Sequence, residues 1–352
     1  MFTGKTILVT GGTGSLGKVL VRRLLQNELG APHKIIIFSR DEAKQHEMRI
    51  SYMNKRAATD EIIFRNFQRV LDFRIGDVRD FHSVAEALRS VDVVFNAAAL
   101  KQVPTCEYFP YQAVMTNIGG PENIVRAIQE LNLPVQTVVG VSTDKACKPV
   151  NVMGMTKSLQ ERIFIQANMR CPKTRFICVR YGNVLSSRGS VIPLFHDQIR
   201  HGGPLTITTS DMTRFLLSLD QAVDTIFAAY KDANPGETYI PRVPSARVVD
   251  LAAALVGDRP IQTVVTGIRP GEKLHEILIS EEEVNRSVVR GSYYAILPML
   301  PELNDGKEYA AALKREFSSA DNVMAPSEVV DMLRHYHLML DDNLQEDGEL
   351  LR

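Results

Sequence analysis

Charge of one sign is what this chain lacks first: its 352 residues carry 41 Lys and Arg against 41 Asp and Glu, a formal net charge of zero. Without a net field there is no drive towards nucleic acid or an anionic membrane surface. Any basic site must be local, and an anionic small substrate stays compatible. Cysteine is scarce too. Cys106, Cys147, Cys171 and Cys178 show no C-x-x-C spacing and no companion histidine cluster, which argues against a disulfide framework or a metal site and for a reducing cytoplasm. No apolar run approaches the roughly 20 residues of a membrane span, and the first strand pattern starts within a few residues of Met1, leaving no room for a signal peptide. There is no internal repeat and no low-complexity tract. The expectation is a cytoplasmic protein of one large or two closely joined domains, with no nucleic-acid or membrane partner.

What is present is glycine in a telling place. Thr6-Ile7-Leu8-Val9-Thr10 reads as an apolar strand, and Gly11-Gly12-Thr13-Gly14-Ser15-Leu16-Gly17 follows it directly, before an apolar helix pattern. Absent side chains let a backbone approach a pyrophosphate, and a helix starting near Ser15 offers unpaired N–H groups to that anion. The spacing of Gly11, Gly14 and Gly17 is G-x-x-G-x-x-G, which resembles the short-chain dehydrogenase/reductase variant of dinucleotide-binding folds.

Short β-branched runs recur at Ile7 to Thr10, Lys34 to Phe38, Leu71 to Ile75, Val91 to Ala97, Thr137 to Ser142 and Phe176 to Tyr181. Between several of them, segments such as Lys18 to Leu25, Ser83 to Leu88 and Asn123 to Leu131 place apolar residues at helical spacing. The alternation predicts an α/β fold, a Rossmann-type doubly wound parallel sheet with a smaller α/β substrate-binding lobe. Residues 1–182, with 215–235 returning to them, read as the dinucleotide-binding domain; 183–214 and 236–297 read as the lobe. Residues 298–352 form a C-terminal extension whose last dozen residues fray.

Ligands of such sheets bind at the carboxyl ends of the strands. The second strand ends Phe38-Ser39-Arg40-Asp41, where a small residue followed by Arg suits a 2′-phosphate. NADP is therefore favoured, with Lys44 as a second cation, while Asp41 leaves NAD or dual use open. Asp77-Val78 resembles the family's adenine contact, Ala97-Ala98-Ala99 supplies a small-residue floor, and Thr10 joins the cofactor-binding set.

The fifth strand ends Ser142-Thr143-Asp144-Lys145, and Met153-Gly154-Met155-Thr156-Lys157 opens the next helix. The extended short-chain dehydrogenases have Tyr-x-x-x-Lys there, two side chains on one helical face; here Met153 holds the tyrosine position. A thioether neither accepts nor gives a proton. The proton must leave by another route, such as a deprotonated Lys157 or a water bridging Thr143 and Lys157, unless the site is dead.

Ala98-Ala99-Leu100-Lys101-Gln102-Val103-Pro104, Ser142-Thr143-Asp144-Lys145-Ala146, Arg180-Tyr181-Gly182-Asn183-Val184 and Arg269-Pro270-Gly271-Glu272-Lys273 are each similar to signatures of the inverting UDP-N-acetylglucosamine 4,6-dehydratases. The Met-x-x-x-Lys variation is similar to the capsular, CapE- and WbjB-like subgroup. The resemblance implies a mechanism: C4 of the sugar gives hydride to NADP, Lys145 removes the C5 proton, Asp144, kept protonated, donates to the departing C6 hydroxyl, and hydride returns to C6. For Lys145 to act as base, its pKa should fall from about 10.4 to roughly 7 to 8, pushed by cations such as Lys101 or Lys157. Arg269, in a loop before a helix carrying His275, is placed to grip a diphosphate. Glu272 is placed to take the uridine ribose; Asn183, Lys101 and Arg214 complete the substrate set. The implied partner is UDP-N-acetylglucosamine or a related UDP-N-acetylhexosamine, and the implied assembly a homo-oligomer, dimer or hexamer. Two other readings stay open: a sugar-nucleotide 4-epimerase or reductase on the same scaffold, and a catalytically dead dinucleotide-binding scaffold or sensor.

Overall fold

Every β-branched run picked out above forms a strand, because each is flanked by segments able to cover it on both faces. A computed structural model describes residues 1–54, 61–185, 190–304, 306, 309–340 and 342; of the acidic last dozen residues all but Asp342 thus lie outside the described residues. The first half holds β1 Thr6–Thr10, α1 Ser15–Leu25, β2 Lys34–Ser39, α2 Glu42–Met53, α3 Glu61–Val70, β3 Leu71–Ile75, α4 Phe81–Leu88 and β4 Val93–Asn96. It continues with α5 Val103–Tyr108, α6 Pro110–Val114, a π-helical turn Met115–Gly119, α7 Gly120–Glu130, β5 Thr137–Thr143, α8 Val152–Arg170 and β6 Arg175–Tyr181. The six strands pair in parallel in the order β3-β2-β1-β4-β5-β6.

Alternation along each strand divides the core. Ile7, Val9, Ile35 and Ile37 pack with α1 and α3, while Leu8, Ile36 and Phe38 pack on the opposite face with α4, α7 and α8. Period-2 geometry in a sheet covered on both sides leaves no polar face, and all five residues of β1 are buried.

The second half contains β7 Asn183–Val184, α9 Val191–Arg200, β8 Leu205–Ile207, β9 Thr213–Leu217, α10 Leu219–Asp232, β10 Thr238–Pro241, β11 Ser245–Arg247, α11 Val248–Val256 and β12 Thr263–Val265. It ends with β13 Ile277–Ile279, α12 Glu281–Val284, β14 Ser287–Arg290, β15 Tyr293–Ile296, β16 Phe317–Ser318 and α13 Pro326–His335. Here the expected boundaries need correction. β10 joins β6 in parallel, and β15 and β14 follow antiparallel, so 236–297 supplies three strands to the main sheet rather than belonging wholly to the lobe. The physical reason is burial: all four residues of β10 are inaccessible, which only an interior sheet position provides. The lobe has its own core, in which Phe195, Leu205, Leu251 and Leu255 meet Val329 and Leu333 of α13. Helix α13 of the C-terminal extension is therefore part of that lobe, whereas Ala312, Leu313 and Phe317 pack against the main core. Among the described residues no helix is long and apolar enough to cross a membrane.

Candidate active site

The carboxyl ends of β1, β2, β4, β5 and β6 open into one cleft of about 760 Å³. At its dinucleotide end, α1 starts with Gly14 as N-cap and no capping side chain, and Ser15, Leu16 and Gly17 line the cleft. An uncapped helix start is where an anion is held. The glycines divide their work. Gly11 has φ +67°, and a Cβ there would sit 2.8 Å from Ala98 N; one at Gly17 would sit 2.5 Å from Gly11 O. Those two let strand, loop and helix close up, whereas Gly14 meets only Gly11 O at 3.3 Å and keeps the wall low. A pyrophosphate fits this cradle.

Thr10 is a correction: it lies behind the wall, its Oγ1 donating to Asn96 Oδ1 at 2.8 Å and accepting from Ala98 N at 3.2 Å. It braces the floor of Ala97, Ala98 and Ala99, which does line the cleft. Ser39, Arg40, Lys44, Asp77 and Val78 line the adenosine end. Arg40 is more than half exposed, 3.7 Å from Asp77 Oδ2. Lys44 donates to Asp41 at 2.6 Å, and Asp41 also caps α2 through Lys44 N. Burial pushes the Asp77 carboxyl up, but Arg79, gripping it at 2.6 Å, and Arg40 hold it below its usual value.

The chemical end is built where β5 stops. Thr143 Oγ1 donates to Asp144 Oδ1 at 2.9 Å, and Lys145 Nζ donates to the same oxygen at 3.0 Å. Asp144 is wholly buried beneath the wall rather than lining the cleft, while Thr143 and Lys145 face it. Burial, then the charge of Glu276, pushes the Asp144 carboxyl up against the pull of Lys145. The expected fall of Lys145 is overturned. Burial pushes its ammonium down, but Asp144 and Glu276, the latter 3.2 Å away, outweigh that and raise it. Its nearest charges are carboxylates, not the Lys101 and Lys157 cations.

Met153 and Lys157 sit one turn apart on the buried face of α8, both lining the cleft. Asn151 caps this helix by accepting from Gly154 N at 2.8 Å, and a Cβ at Gly154 would collide with the Lys145 carbonyl. Lys157 Nζ donates to Gln160 Oε1 at 2.7 Å and makes no ion pair among the described residues. Burial pushes it down to about 8. Beneath, Arg180 of β6 is clamped between Glu161 (2.6 Å) and Glu283 (2.8 Å), locking α8 and α12 to the sheet.

Lys101, Asn183, Arg269 and Glu272 line the opposite end. Asn183 Oδ1 is buried without a hydrogen-bond partner among the described residues, the condition of a group awaiting a ligand. The Arg269–Glu272 turn, with Gly271 at φ +81°, is tied to α8 by Asn151 Nδ2 donating to Gly271 O at 2.7 Å. Arg214 is a second correction: it does not reach the cleft, because its guanidinium donates to the carbonyls of Thr213, Leu274 and Lys273. No helix follows Glu272 either; His275 Nδ1 meets Thr213 Oγ1 at 2.8 Å just before β13.

Two residues escaped the sequence reading. Asn117, in the π-helical turn, exchanges hydrogen bonds with Leu100 and so shapes the loop carrying Lys101. Glu276 reaches the floor from a distant segment, and no local pattern marks it.

Known proteins with this arrangement modify sugar nucleotides. Residues 7–298 match the family described as polysaccharide biosynthesis protein. A Rickettsia massiliae protein named UDP-glucose 4-epimerase is 42% identical over 90% of this chain and 89% of its own. One of the same name from Rickettsia akari is 40% identical over 99% of each. The solved structure of Pen from Bacillus thuringiensis superposes with a TM-score of 0.85 at 31% identity, covering 96% of this chain and 100% of that one. A dTDP-glucose 4,6-dehydratase, DesIV from Streptomyces venezuelae with bound NAD, shares the fold with a TM-score of 0.64 at 21% identity, over 76% of this chain and 86% of its own. The chain belongs to the polysaccharide biosynthesis protein family, and its Rossmann-type fold is shared with sugar-nucleotide epimerases and dehydratases.

Proposed function

We propose that the protein is an NADP-dependent UDP-N-acetylhexosamine 4,6-dehydratase that inverts C5, converting UDP-N-acetylglucosamine to the 4-keto-6-deoxy-L-arabino product for surface glycan synthesis. The observation that carries this reading is the Asp144–Lys145 pair at the cleft floor, between the cofactor cradle and the Arg269 end. A 4-epimerase has no task for such a pair, because it breaks no bond at C5 or C6.

Gly14, Ser15, Leu16, Arg40, Asp77 and the Ala97–Ala99 floor would hold the dinucleotide, which would supply reversible hydride transfer, oxidising C4 and reducing C6. Lys157, with its depressed pKa, replaces the missing tyrosine by accepting the C4 hydroxyl proton. Lys145 removes the C5 proton that the new ketone has made acidic; its raised proton affinity leaves little of the neutral amine but makes that form the stronger base. The Thr143 hydroxyl, which donates to Asp144 at rest, gives its proton to the C6 hydroxyl once that bond reverses and is resupplied by protonated Asp144, so that C6 oxygen leaves as water; after hydride reaches C6, C5 takes a proton on its opposite face. Asn183 and Arg269 take the diphosphate and Glu272 the ribose, charge-assisted contacts of the strong kind. Arg40 at the strand end supports NADP. A homo-oligomer, dimer or hexamer, and a cytoplasmic location belong to the same proposal; exposed Tyr108, Phe109 and Tyr111 support the former.

The 4-epimerase reading is favoured by the names of the Rickettsia relatives. Mass spectrometry after incubation with UDP-N-acetylglucosamine separates the two: loss of water is expected, whereas an isomer of unchanged mass would establish the epimerase. Identifying the dinucleotide released on denaturation tests NADP directly. In deuterated water, assignment of C5 by NMR tests inversion.

A further inference from the structure

Three ionisable side chains meet at the floor of the cleft from separate parts of the chain. Asp144 and Lys145 come from the turn after β5, and Glu276 from the residue before β13. One ammonium is shared by two carboxylates: Lys145 Nζ lies 3.0 Å from Asp144 Oδ1 and 3.2 Å from Glu276 Oε1. Among the described residues each carboxylate keeps one buried oxygen without a hydrogen-bond partner, Asp144 Oδ2 and Glu276 Oε2. The surroundings of the two differ. Glu276 also faces Arg214 Nε at 3.9 Å and Lys273 Nζ at 3.8 Å, whereas Lys145 is the one cation in ion-pair contact with Asp144 among the described residues.

Two carboxylates that share a desolvated site cannot ionise at equal cost. The charge settles where three cations face it, on Glu276, and the proton stays on Asp144. Glu276 is also fixed in place: its carbonyl accepts from Ser319 N at 2.8 Å, and its N–H donates to Ser319 Oγ at 2.9 Å.

We propose that Glu276 is a positioning residue that keeps acid and base apart: by serving as counter-ion to Lys145, it leaves the adjacent Asp144 protonated. The inference rests on the dehydratase reading. Without the Glu276 charge, Asp144 becomes the sole partner of Lys145 and the two collapse into an ordinary ion pair. In that state the acid has lost its proton. The shifts agree in sign, since the negative charge of Glu276 raises both Asp144 and Lys145, and its own carboxyl is lowered by Lys145, Arg214 and Lys273 against the opposing effect of burial.

The test is the pH dependence of C5 deuterium exchange and of water loss in the holoenzyme. Because the active form has neutral Lys145 and protonated Asp144, the two limbs report the two macroscopic titrations of the coupled pair rather than either residue alone. Removing the charge with Glu276→Gln lowers the proton affinity of both groups, so the whole profile should move to lower pH by about one unit. Glu276→Asp, which keeps the charge, should stay with the wild type. A Glu276→Gln enzyme slowed at every pH around an unmoved optimum has lost only structure, and that overturns the inference.

Should Glu276→Gln fail to fold, infrared difference spectra of wild type against Asp144→Asn decide. A protonated-carboxyl band from Asp144 near neutral pH is expected, and its absence overturns the inference. Wild-type enzyme that neither loses water nor exchanges C5 sinks the dehydratase reading instead, and the infrared measurement then still judges Glu276.

Discussion

The two ends of the cleft are made of different materials. The dinucleotide end is backbone: a glycine loop, an uncapped helix start and an alanine floor, with its charges at the rim. The sugar end is made of charged side chains drawn into the interior, with Asp144, Glu276 and Arg180 all nearly or wholly buried. A backbone site costs little to desolvate and binds the same anion at any ordinary pH. A buried charge cluster is expensive unless every partner is present, and removing one member leaves another uncompensated. The first end is a holder; the second is where proton affinities are set.

That contrast can be broken most forcefully at Lys145. Lys145→Met should slow C5 exchange by about 10³-fold, the scale of a lost general base, while the dinucleotide still copurifies. Exchange at the wild-type rate would mean that chemistry does not sit on the charged floor. Next comes the cradle. Gly17→Val forces a branched side chain where even a Cβ would lie 2.5 Å from Gly11 O. Equilibrium titration should show cofactor affinity reduced roughly 10- to 100-fold, the overpacking cost of about 1–3 kcal/mol.

The third prediction concerns pH. Neutral Lys157 is the form that accepts the proton, so single-turnover cofactor reduction should climb about tenfold per pH unit and level off above about 8. Lys157→Arg stays charged throughout and should erase the climb. The smallest effect belongs to Met153. Met153→Leu should shift stability by less than about 1.5 kcal/mol and leave that pH profile in place; a displaced profile would show that the thioether takes part.

The same contrast explains what could be read from the sequence. Gly11 to Gly17, Ala97 to Ala99 and Met153 with Lys157 are contiguous or one helical turn apart, so local spacing fixes their geometry. Glu276 and Arg214 could not be read that way, because their positions follow from pairings between distant segments. Arg214 looked like a substrate cation, yet it satisfies three backbone carbonyls where β9 meets the 273–274 loop. The direction of the Lys145 shift was missed for the same reason. The motif displays nearby cations, while the second carboxylate arrives from 131 residues further along. Strand β10 escaped because a four-residue apolar run carries no signal of which sheet it will join.

One pairing has a consequence for how the enzyme comes into being. Ser319, beside β16, exchanges two hydrogen bonds with Glu276, and β16 itself edges β13. The parallel strands β1 to β6 are all synthesised by residue 181, but the Asp144–Lys145–Glu276 cluster waits for Ser319. A nascent or clipped chain ending before Ser319 would thus carry the glycine cradle without the residue that fixes Glu276 beside Lys145.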